Sequence, residues 1–191
     1  MKLLMILTLA ICTGCAVNLD QPAAAQGNPP QTEARKEYPT VNLPIGLRQQ
    51  NWVGNQGEGS CVHASMVMLF RWQGRYAMAD WWRRNNQNGE WASDLAMKLD
   101  FAGVRYAYTS QRGDVGFLEW ACRTRRGCAV TVMGGRHMVC LVHLDDKWAG
   151  ILDNNHINRI KWVPRQTFIA EWLNSTSWAV TPVYTPAPPL P

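Results

Sequence analysis

One cysteine of the chain stands where a nucleophile would be placed. Cys61 follows a loop rich in glycine, residues 55–60, and precedes an apolar run with helical spacing. Ser60 is of a type that caps helix N-termini, and Gln73 with Gly74 predicts the helix end. In a first helical turn, unpaired backbone N–H groups and the helix dipole favour thiolate over thiol. Because thiolate is the nucleophilic form, the pattern predicts thiol chemistry at Cys61.

A histidine and an aspartate follow at positions that could serve such a thiol. His137 opens a strand-like run and Asp153 closes the next one, with a polar turn between them. These runs predict an antiparallel hairpin, in which the start of one strand lies beside the end of the other. Asp153, sixteen positions after His137, would orient the imidazole that accepts the thiol proton. We therefore predict that Cys61, His137 and Asp153 are catalytic residues of a thiol hydrolase.

Two amides before Cys61 are candidates for stabilising an oxyanion. Gln56 precedes the cysteine by five positions and Asn55 precedes it by six. The side-chain N–H of Gln56 and the backbone N–H of Cys61 could donate to the same oxygen. We favour Gln56, with Asn55 as the competing candidate. Both residues also suit a polar turn that has no catalytic role.

The chain has three further histidines, His63, His143 and His156. The first lies on the predicted helix roughly 200° around from Cys61, so it points away from the thiol and is expected to be structural. The second shares the strand face of His137 but lies about 20 Å further along. The third follows Asp153 in an Asn-rich turn typical of solvated loops. Asp145 and Asp146 are expected to be turn residues.

The segments between the nucleophile and the base predict helices first and strands afterwards. Helical spacing occurs at 78–84, 91–101 and 115–125, and strand-like runs occur at 104–109 and 128–133. This segregation predicts an α+β domain, in which the nucleophile helix packs on an antiparallel sheet that carries the base and the acid. Trp81, Trp82 and Trp91 could line a cleft, although core packing is their expected role.

The loop with Cys61, the apolar helix and the later His137 and Asp153 resemble the papain-like cysteine peptidase superfamily. Within it, the chain is more similar to the peptidase-like domains related to bacteriocin-processing double-glycine leader peptidases. Residues 163–172 and 177–180 are similar to their closing helix and strand, so the resemblance covers roughly 45–183. It implies a papain-like cysteine peptidase fold, a peptide or protein substrate, an acyl-enzyme intermediate, and no metal or organic cofactor.

Two other functions are compatible with the same residues. One is a catalytically inactive peptidase-like binding module, since a fold can outlast its chemistry. The other is a transglutaminase-like or acyltransferase-like enzyme, which would use the same three side chains. A complete triad favours an enzyme over the inactive module, and the long interval between Cys61 and His137 favours a peptidase or amidase over the transferases.

The N-terminus predicts export. Lys2, an apolar run and small residues are typical of a signal peptide over residues 1–25, and the run is too short for a membrane span. Cleavage before Cys15 would leave a lipidated cysteine that tethers the protein to a membrane of the cell envelope. Cleavage after Ala25 would instead release a secreted or periplasmic protein. Residues 26–44 are predicted as a flexible linker, 45–185 as the peptidase domain and 186–191 as a disordered Pro-rich tail.

Composition limits the remaining possibilities. A chain of 191 residues with 47% hydrophobic residues supports one core. The net charge is +5. The arginines are scattered and are not interleaved with aromatic residues, so no nucleic-acid partner is expected. Cys122 and Cys128 could form a local disulfide or stay reduced, Cys140 is expected to be buried, and no cysteines have zinc-site spacing. The pattern gives no indication of oligomeric state.

Overall fold

The computed structural model describes residues 37–53 and 59–191. The predicted signal peptide, Cys15, residues 26–36 of the predicted linker, Asn55 and Gln56 lie outside the described residues. Within the described ranges, no helix has the length and apolar character needed to cross a bilayer.

Three helices come first along the described chain, and two further helices lie among the strands that follow. A short 3₁₀ turn, Ile45–Leu47, precedes them. The helices are α1 (Cys61–Trp72), α2 (Tyr76–Asn85), α3 (Ala92–Phe101), α4 (Val115–Arg123) and α5 (Arg165–Leu173). The strands are β1 (Tyr106–Thr109), β2 (Cys128–Val132), β3 (His137–Leu144), β4 (Trp148–Leu152), β5 (Lys161–Pro164) and β6 (Ala179–Pro182).

The strands form a single antiparallel sheet in the order β1-β6-β2-β3-β4-β5. The hairpin of β3 and β4 pairs Cys140 with Leu152 and Leu144 with Ala149, with an irregularity between Leu141 and His143. His137, the first residue of β3, pairs with Val132 at the end of β2. The start of β3 and the end of β4 therefore lie at the same end of the sheet, as the hairpin pattern predicted.

Alternate residues of β3 contribute to two separate cores. Met138, Cys140 and Val142 belong to a cluster that contains most of α1 and the buried residues of α2 and α3, whereas Val139 and Leu141 belong to one that contains residues of α4 and α5. This alternation is the two-residue period expected of a strand that is buried on both faces. Helices therefore cover both faces of the sheet, and α1 packs on the face reached by Met138 and Cys140.

Helix α1 is apolar around almost its whole circumference, and only Arg71 among its twelve residues is not buried. A helix of this kind must be enclosed by other elements, here by the sheet on one side and α2 on the other. Its bounds agree with those predicted from Cys61 and Gln73. The enclosure fixes the helix end that carries Cys61 relative to the sheet.

Several residues lie differently from the expectation. The domain begins before residue 45, because Leu43 is buried and the carbonyl of Asn42 accepts a hydrogen bond from Trp72 Nε1 at 2.8 Å. In the predicted disordered tail, Ala187 is only 1% exposed and its N–H donates to the carbonyl of Arg125 at 3.0 Å. Proline lacks an N–H but keeps a carbonyl, so a Pro-rich segment can still bind a folded surface. Phe101, the last residue of the helical spacing predicted for 91–101, does not pack in the core and is 91% exposed.

Candidate functional site

Cys61 is the first residue of α1 and is 5% exposed. The preceding Ser60 occupies the N-cap position without making a side-chain capping bond, contrary to the role expected of it. Its hydroxyl instead accepts the N–H groups of Trp52 and Val53, at 2.9 and 3.0 Å, and donates to Asn51 Oδ1. Ser60 therefore holds the 51–53 segment against the start of the helix, which encloses the thiol.

Gly59 shows how closely the same segment approaches Cys61. A β-carbon at position 59 would lie 3.0 Å from Asn51 Nδ2 and 3.1 Å from the carbonyl oxygen of Val53. Both distances are tighter than usual for a side chain, so the close approach of this segment to the residues before Cys61 favours glycine at position 59. The Cys61 thiol lies 3.9 Å from the Gly59 carbonyl, a long contact even for a sulfur donor.

His137 and Asp153 are in direct contact at the end of the sheet. The imidazole Nε2 lies 2.9 Å from Asp153 Oδ1. The two side chains are 10% and 27% exposed, so the pair is largely screened from solvent. Because a carboxylate accepts a hydrogen bond from Nε2, the proton of the neutral ring lies on Nε2. Nδ1 is then free to accept the proton of a thiol.

The pKa of His137 is raised by its neighbours Asp153 and Cys61. Burial disfavours the charged ring, but hydrogen bonds and charge interactions with Asp153 and Cys61 outweigh it and raise the pKa to about 9. Negative charge near an imidazole favours its protonated form. The raised pKa favours a proton on the ring at neutral pH. Asn154 Nδ2, directly after Asp153, lies 3.1 Å from the carbonyl oxygen of Cys61 and 2.8 Å from that of Met138, so the three predicted residues lie in one region of the fold.

Asp153 is held as a carboxylate by its neighbours. Burial acts to raise its pKa, yet the hydrogen bond from His137, the backbone N–H of Asn155 and the charges of His137 and His156 lower it overall. The N–H of Asn155 donates to Asp153 Oδ1 at 2.9 Å. An oxygen that accepts two hydrogen bonds is fixed in orientation, so it can define the orientation of the imidazole ring.

His156 lies next to Asp153 in sequence and its N–H donates to the carbonyl of Asp153, whereas His63 and His143 lie apart from this group. His63 is fully buried and accepts a hydrogen bond from Trp82 Nε1 at 3.2 Å. Burial, and then the charge of Lys98, lower the pKa of His63 to about 4. Its Nε2 lies 3.9 Å from Glu90, but that carboxylate is also paired with Lys98. His63 is therefore a neutral packing residue, as its helical position predicted.

A second histidine–aspartate pair lies toward the other end of β3. His143 Nε2 is 2.9 Å from Asp145 Oδ2, and Asp145 Oδ1 accepts the backbone N–H groups of Lys147 and Trp148 in the β3–β4 turn. Burial acts to raise the pKa of Asp145, but hydrogen bonds from His143, Trp148 and Lys147 lower it to about 2. Asp145 is thus a turn residue, as expected.

A cavity of about 540 Å³ opens beside the His137–Asp153 pair, between the sheet and α5. Its walls include Val139 and Phe168, and Glu171 lies at its edge with Oε1 2.7 Å from the N–H of Met133. Apolar walls around a few polar groups are typical of ligand sites. The tryptophans considered as cleft residues do not line it: Trp82 is buried, and Trp81 and Trp91 are 41% and 57% exposed.

One polar residue of the site was not singled out from the sequence. Asn154 is fully buried directly after Asp153, and its side-chain amide contacts the backbone carbonyl of Cys61. The pattern Asp-Asn-Asn reads as an ordinary polar turn, in which neither asparagine is distinguished. Only the three-dimensional arrangement shows that the first asparagine points inward.

Cys122, Cys128 and Cys140 are free thiols. Cys140 is buried, as expected, and burial raises its pKa to about 12. Among residues 37–53 and 59–191, no group of three or more histidine, cysteine or acidic side chains is arranged to hold a metal ion.

No protein-family model matches the chain, and no curated protein matches it. Two solved structures are similar to it. A Bacillus anthracis protein described as a C39-like peptidase superposes with a TM-score of 0.56 at 13% identity, over 76% of this chain and 96% of that one. A double-glycine motif protease from an AMS/PCAT transporter, solved with its leader peptide, has a TM-score of 0.47 at 16% identity, over 71% and 94%.

The match to the Bacillus anthracis protein covers nearly all of that chain, which confirms the prediction of an α+β papain-like fold. The helix of Cys61 packed on an antiparallel sheet is the arrangement that was expected. The chain therefore has the fold of the C39-like cysteine peptidases.

Proposed function

We propose that this protein is a cysteine peptidase or amidase that acts through Cys61, His137 and Asp153. The observation that carries the proposal is the 2.9 Å hydrogen bond between His137 and Asp153, next to Asn154, whose amide contacts the Cys61 carbonyl at 3.1 Å. The raised pKa of His137 supports an interaction with Cys61. A nucleophile, a base and a group that orients the base are the minimum for acyl transfer by a thiol. His137 and Asp153 line an apolar cavity in which part of a substrate could bind.

In the proposed mechanism, the sulfur of Cys61 attacks the carbonyl carbon of a peptide or amide bond. His137 takes the thiol proton and then donates it to the leaving nitrogen as the carbon–nitrogen bond breaks. Asp153 keeps the ring oriented and stabilises its positive charge. Water, deprotonated by the same ring, then hydrolyses the thioester and releases the acid.

The oxyanion of this reaction needs hydrogen-bond donors near the start of α1. The backbone N–H of Cys61 lies in the first helical turn, where N–H groups have no helical acceptor. Gln56 is proposed as the second donor because it precedes Cys61 by five residues. A Gln56→Ala variant should lower the rate of the acylation step by roughly a hundredfold if that amide holds the oxyanion.

The test of the proposed function is hydrolysis of a defined peptide mixture by the full chain, with Cys61→Ala and His137→Phe as matched variants. New peptide termini should appear with the natural chain and be absent with both variants. Adding a primary amine separates the alternatives, since a transferase would give amine-linked products in place of free acids. Absence of cleavage together with an unreactive Cys61 would favour the inactive binding module.

Export is proposed separately, on the signal-like residues 1–25. Growth of producing bacteria with a palmitate analogue, comparing the natural chain with Cys15→Ala, tests the lipid tether. Label that depends on Cys15 would support a lipoprotein. Unlabelled protein in the periplasm or medium would support ordinary signal cleavage, and protein retained in the cytoplasm would contradict export.

A further inference from the structure

Asn154 makes three contacts that join the helix of the nucleophile to the strand of the base. Its side-chain Nδ2 lies 3.1 Å from the carbonyl oxygen of Cys61, 2.8 Å from that of Met138 and 3.1 Å from Ser65 Oγ. Both carbonyl groups require a donor, so the NH₂ end of the amide must face them. The side chain is fully buried, which excludes water as a competitor for these contacts.

The backbone of Asn154 extends the same connection to the loop before the nucleophile. Its carbonyl oxygen accepts the N–H of Asn51 at 2.8 Å. Asn51 in turn accepts the hydroxyl of Ser60, the residue preceding Cys61. Asn154 therefore contacts the chain on both sides of the nucleophile, through its side chain on one side and its main chain on the other.

Asn154 also lies where the backbone ladder between β3 and β4 has ended. The last register pair at that end joins Cys140 to Leu152, so His137 and Asp153 lie beyond the paired residues. There the bond from Asn154 to the carbonyl of Met138 takes the place of a ladder bond. It fixes the residue after Asp153 to the residue after His137.

The opposite end of the amide supports a specific role. Asn154 Oδ1 is buried and has no hydrogen-bond partner among the described residues. Leaving a buried acceptor unpaired is destabilising, so an apolar side chain of similar shape would be the better choice for packing alone. The two N–H groups of Nδ2 face three acceptors, and an apolar side chain could not supply these donors.

We propose that Asn154 is a positioning residue that sets the distance between the Cys61 thiol and the His137–Asp153 pair. This inference rests on the proposed function of those three residues. Asn154 would act through the main-chain atoms that it contacts, so it needs no contact with the substrate. Removing the amide would let the end of α1 and the end of β4 move relative to each other without emptying either core.

The test measures the rate at which iodoacetamide alkylates Cys61, from pH 5 to pH 10, in the full chain. His137→Phe defines the profile of a thiol without its base. Asn154→Leu should lower the rate at pH 7 by roughly ten- to a hundredfold and shift the profile toward that of His137→Phe, because small displacements disrupt proton transfer. Ser65→Ala, which removes a hydroxyl but neither carbonyl contact, should keep the natural profile.

Asn154→Asp gives a second, independent variant, since it keeps the shape but lacks both N–H donors. Circular dichroism and a cooperative melt identify the variants that fold. A folded Asn154→Leu or Asn154→Asp protein with the natural pH profile would overturn the positioning role. A natural chain whose alkylation does not depend on His137 would instead overturn the proposed function, so the two failures are distinguishable.

Discussion

At the scale of single residues, the site depends on a charge balance around His137. Its neighbours favour the protonated ring strongly enough to outweigh burial, and they include the proposed nucleophile itself. A ring of this kind can hold its proton at neutral pH. The chain also contains a matched comparison, because His143 and Asp145 have the same 2.9 Å contact as His137 and Asp153.

Replacing Asp153 by asparagine should lower the rate of Cys61 alkylation at pH 7 by roughly a hundredfold or more. The variant replaces the carboxylate that faces His137 Nε2 by a neutral amide. The amide neither fixes the tautomer of the ring nor stabilises the imidazolium. The matched control is Asp145→Asn, which removes the same group from the other pair and should leave alkylation unchanged. Equal loss in both variants would show a general effect on folding.

Peptide hydrolysis should fall as the pH rises through about 9, because His137 then loses the proton that the leaving nitrogen requires. The raised pKa has a parallel effect on stability. The contribution of His137 to folding is fully present below its ordinary value of 6.5 and is lost as the pH rises through about 9. Initial rates between pH 7 and pH 10.5 test this, and an unchanged rate at pH 10.5 would contradict it.

At the scale of elements, α1 carries a buried titratable group as well as the nucleophile. His63 is enclosed by Trp82 of α2, with Glu90, which precedes α3, and Lys98 of α3 beside it. Its lowered pKa means that the folded protein binds fewer protons than the unfolded chain between about pH 4 and 6.5. Stability therefore depends on His63 in the opposite direction from His137.

The free energy of unfolding should decrease as the pH falls from 6.5 to about 4, by up to roughly 3 kcal/mol from His63 alone. The lowered pKa values of Asp145 and Asp153 lead to losses at lower pH, and His137 stays protonated throughout this window. Urea unfolding at half-unit pH steps measures the slope. His63→Leu should reduce the slope of unfolding free energy against pH, whatever its effect on absolute stability. An unchanged slope would contradict the assignment of this pH dependence to His63.

The elements could be predicted where local pattern determines them. The bounds of α1 follow from an apolar run that ends at Gln73, and the hairpin of β3 and β4 follows from two apolar runs around a polar turn. The prediction failed where long-range contacts decide. Ser60 has the right type for a cap but bonds to the 51–53 segment, and four-residue β5 forms because β4 offers it a partner.

The inward orientation of Asn154 is a further example of this limit. Its partners lie 93 and 16 residues away in sequence, so no local pattern indicates which of two adjacent asparagines is buried. The proposed triad residues could be found from the sequence because their types are uncommon and their order is informative. The residues that hold the proposed triad in position are of common types, and only their location in the fold distinguishes them.

At the scale of the whole molecule, the C-terminal segment contributes to the domain. Ala187 packs in the same core cluster as α1, and Asn42 Nδ2 donates to the carbonyl oxygens of Pro188 and Pro189 at 3.2 and 2.9 Å. Composition alone predicted disorder here, because proline and alanine offer few donors and little apolar area. The fold supplies the donors from residues elsewhere in the chain.

Ala187→Asp should destabilise the protein by about 2 kcal/mol or more, since it buries a charge without a partner. Leu190→Asp is the control, because Leu190 is in the same segment but 47% exposed. Thermal and urea unfolding of the full chain, with each variant, measure the difference. Equal stability of the two variants would mean that the segment does not pack in solution.

The contact of Asn42 with Pro188 and Pro189 places the beginning and the end of the folded domain next to each other. Domains with neighbouring ends tolerate circular permutation, in which a short linker joins the old ends and new ones are opened in an exposed loop. The exposed turn at Gln111 and Gly113, between β1 and α4, offers such an opening. The order of Cys61, His137 and Asp153 along the chain is thus a matter of connectivity, whereas their positions in space depend on the packing of α1 on the sheet.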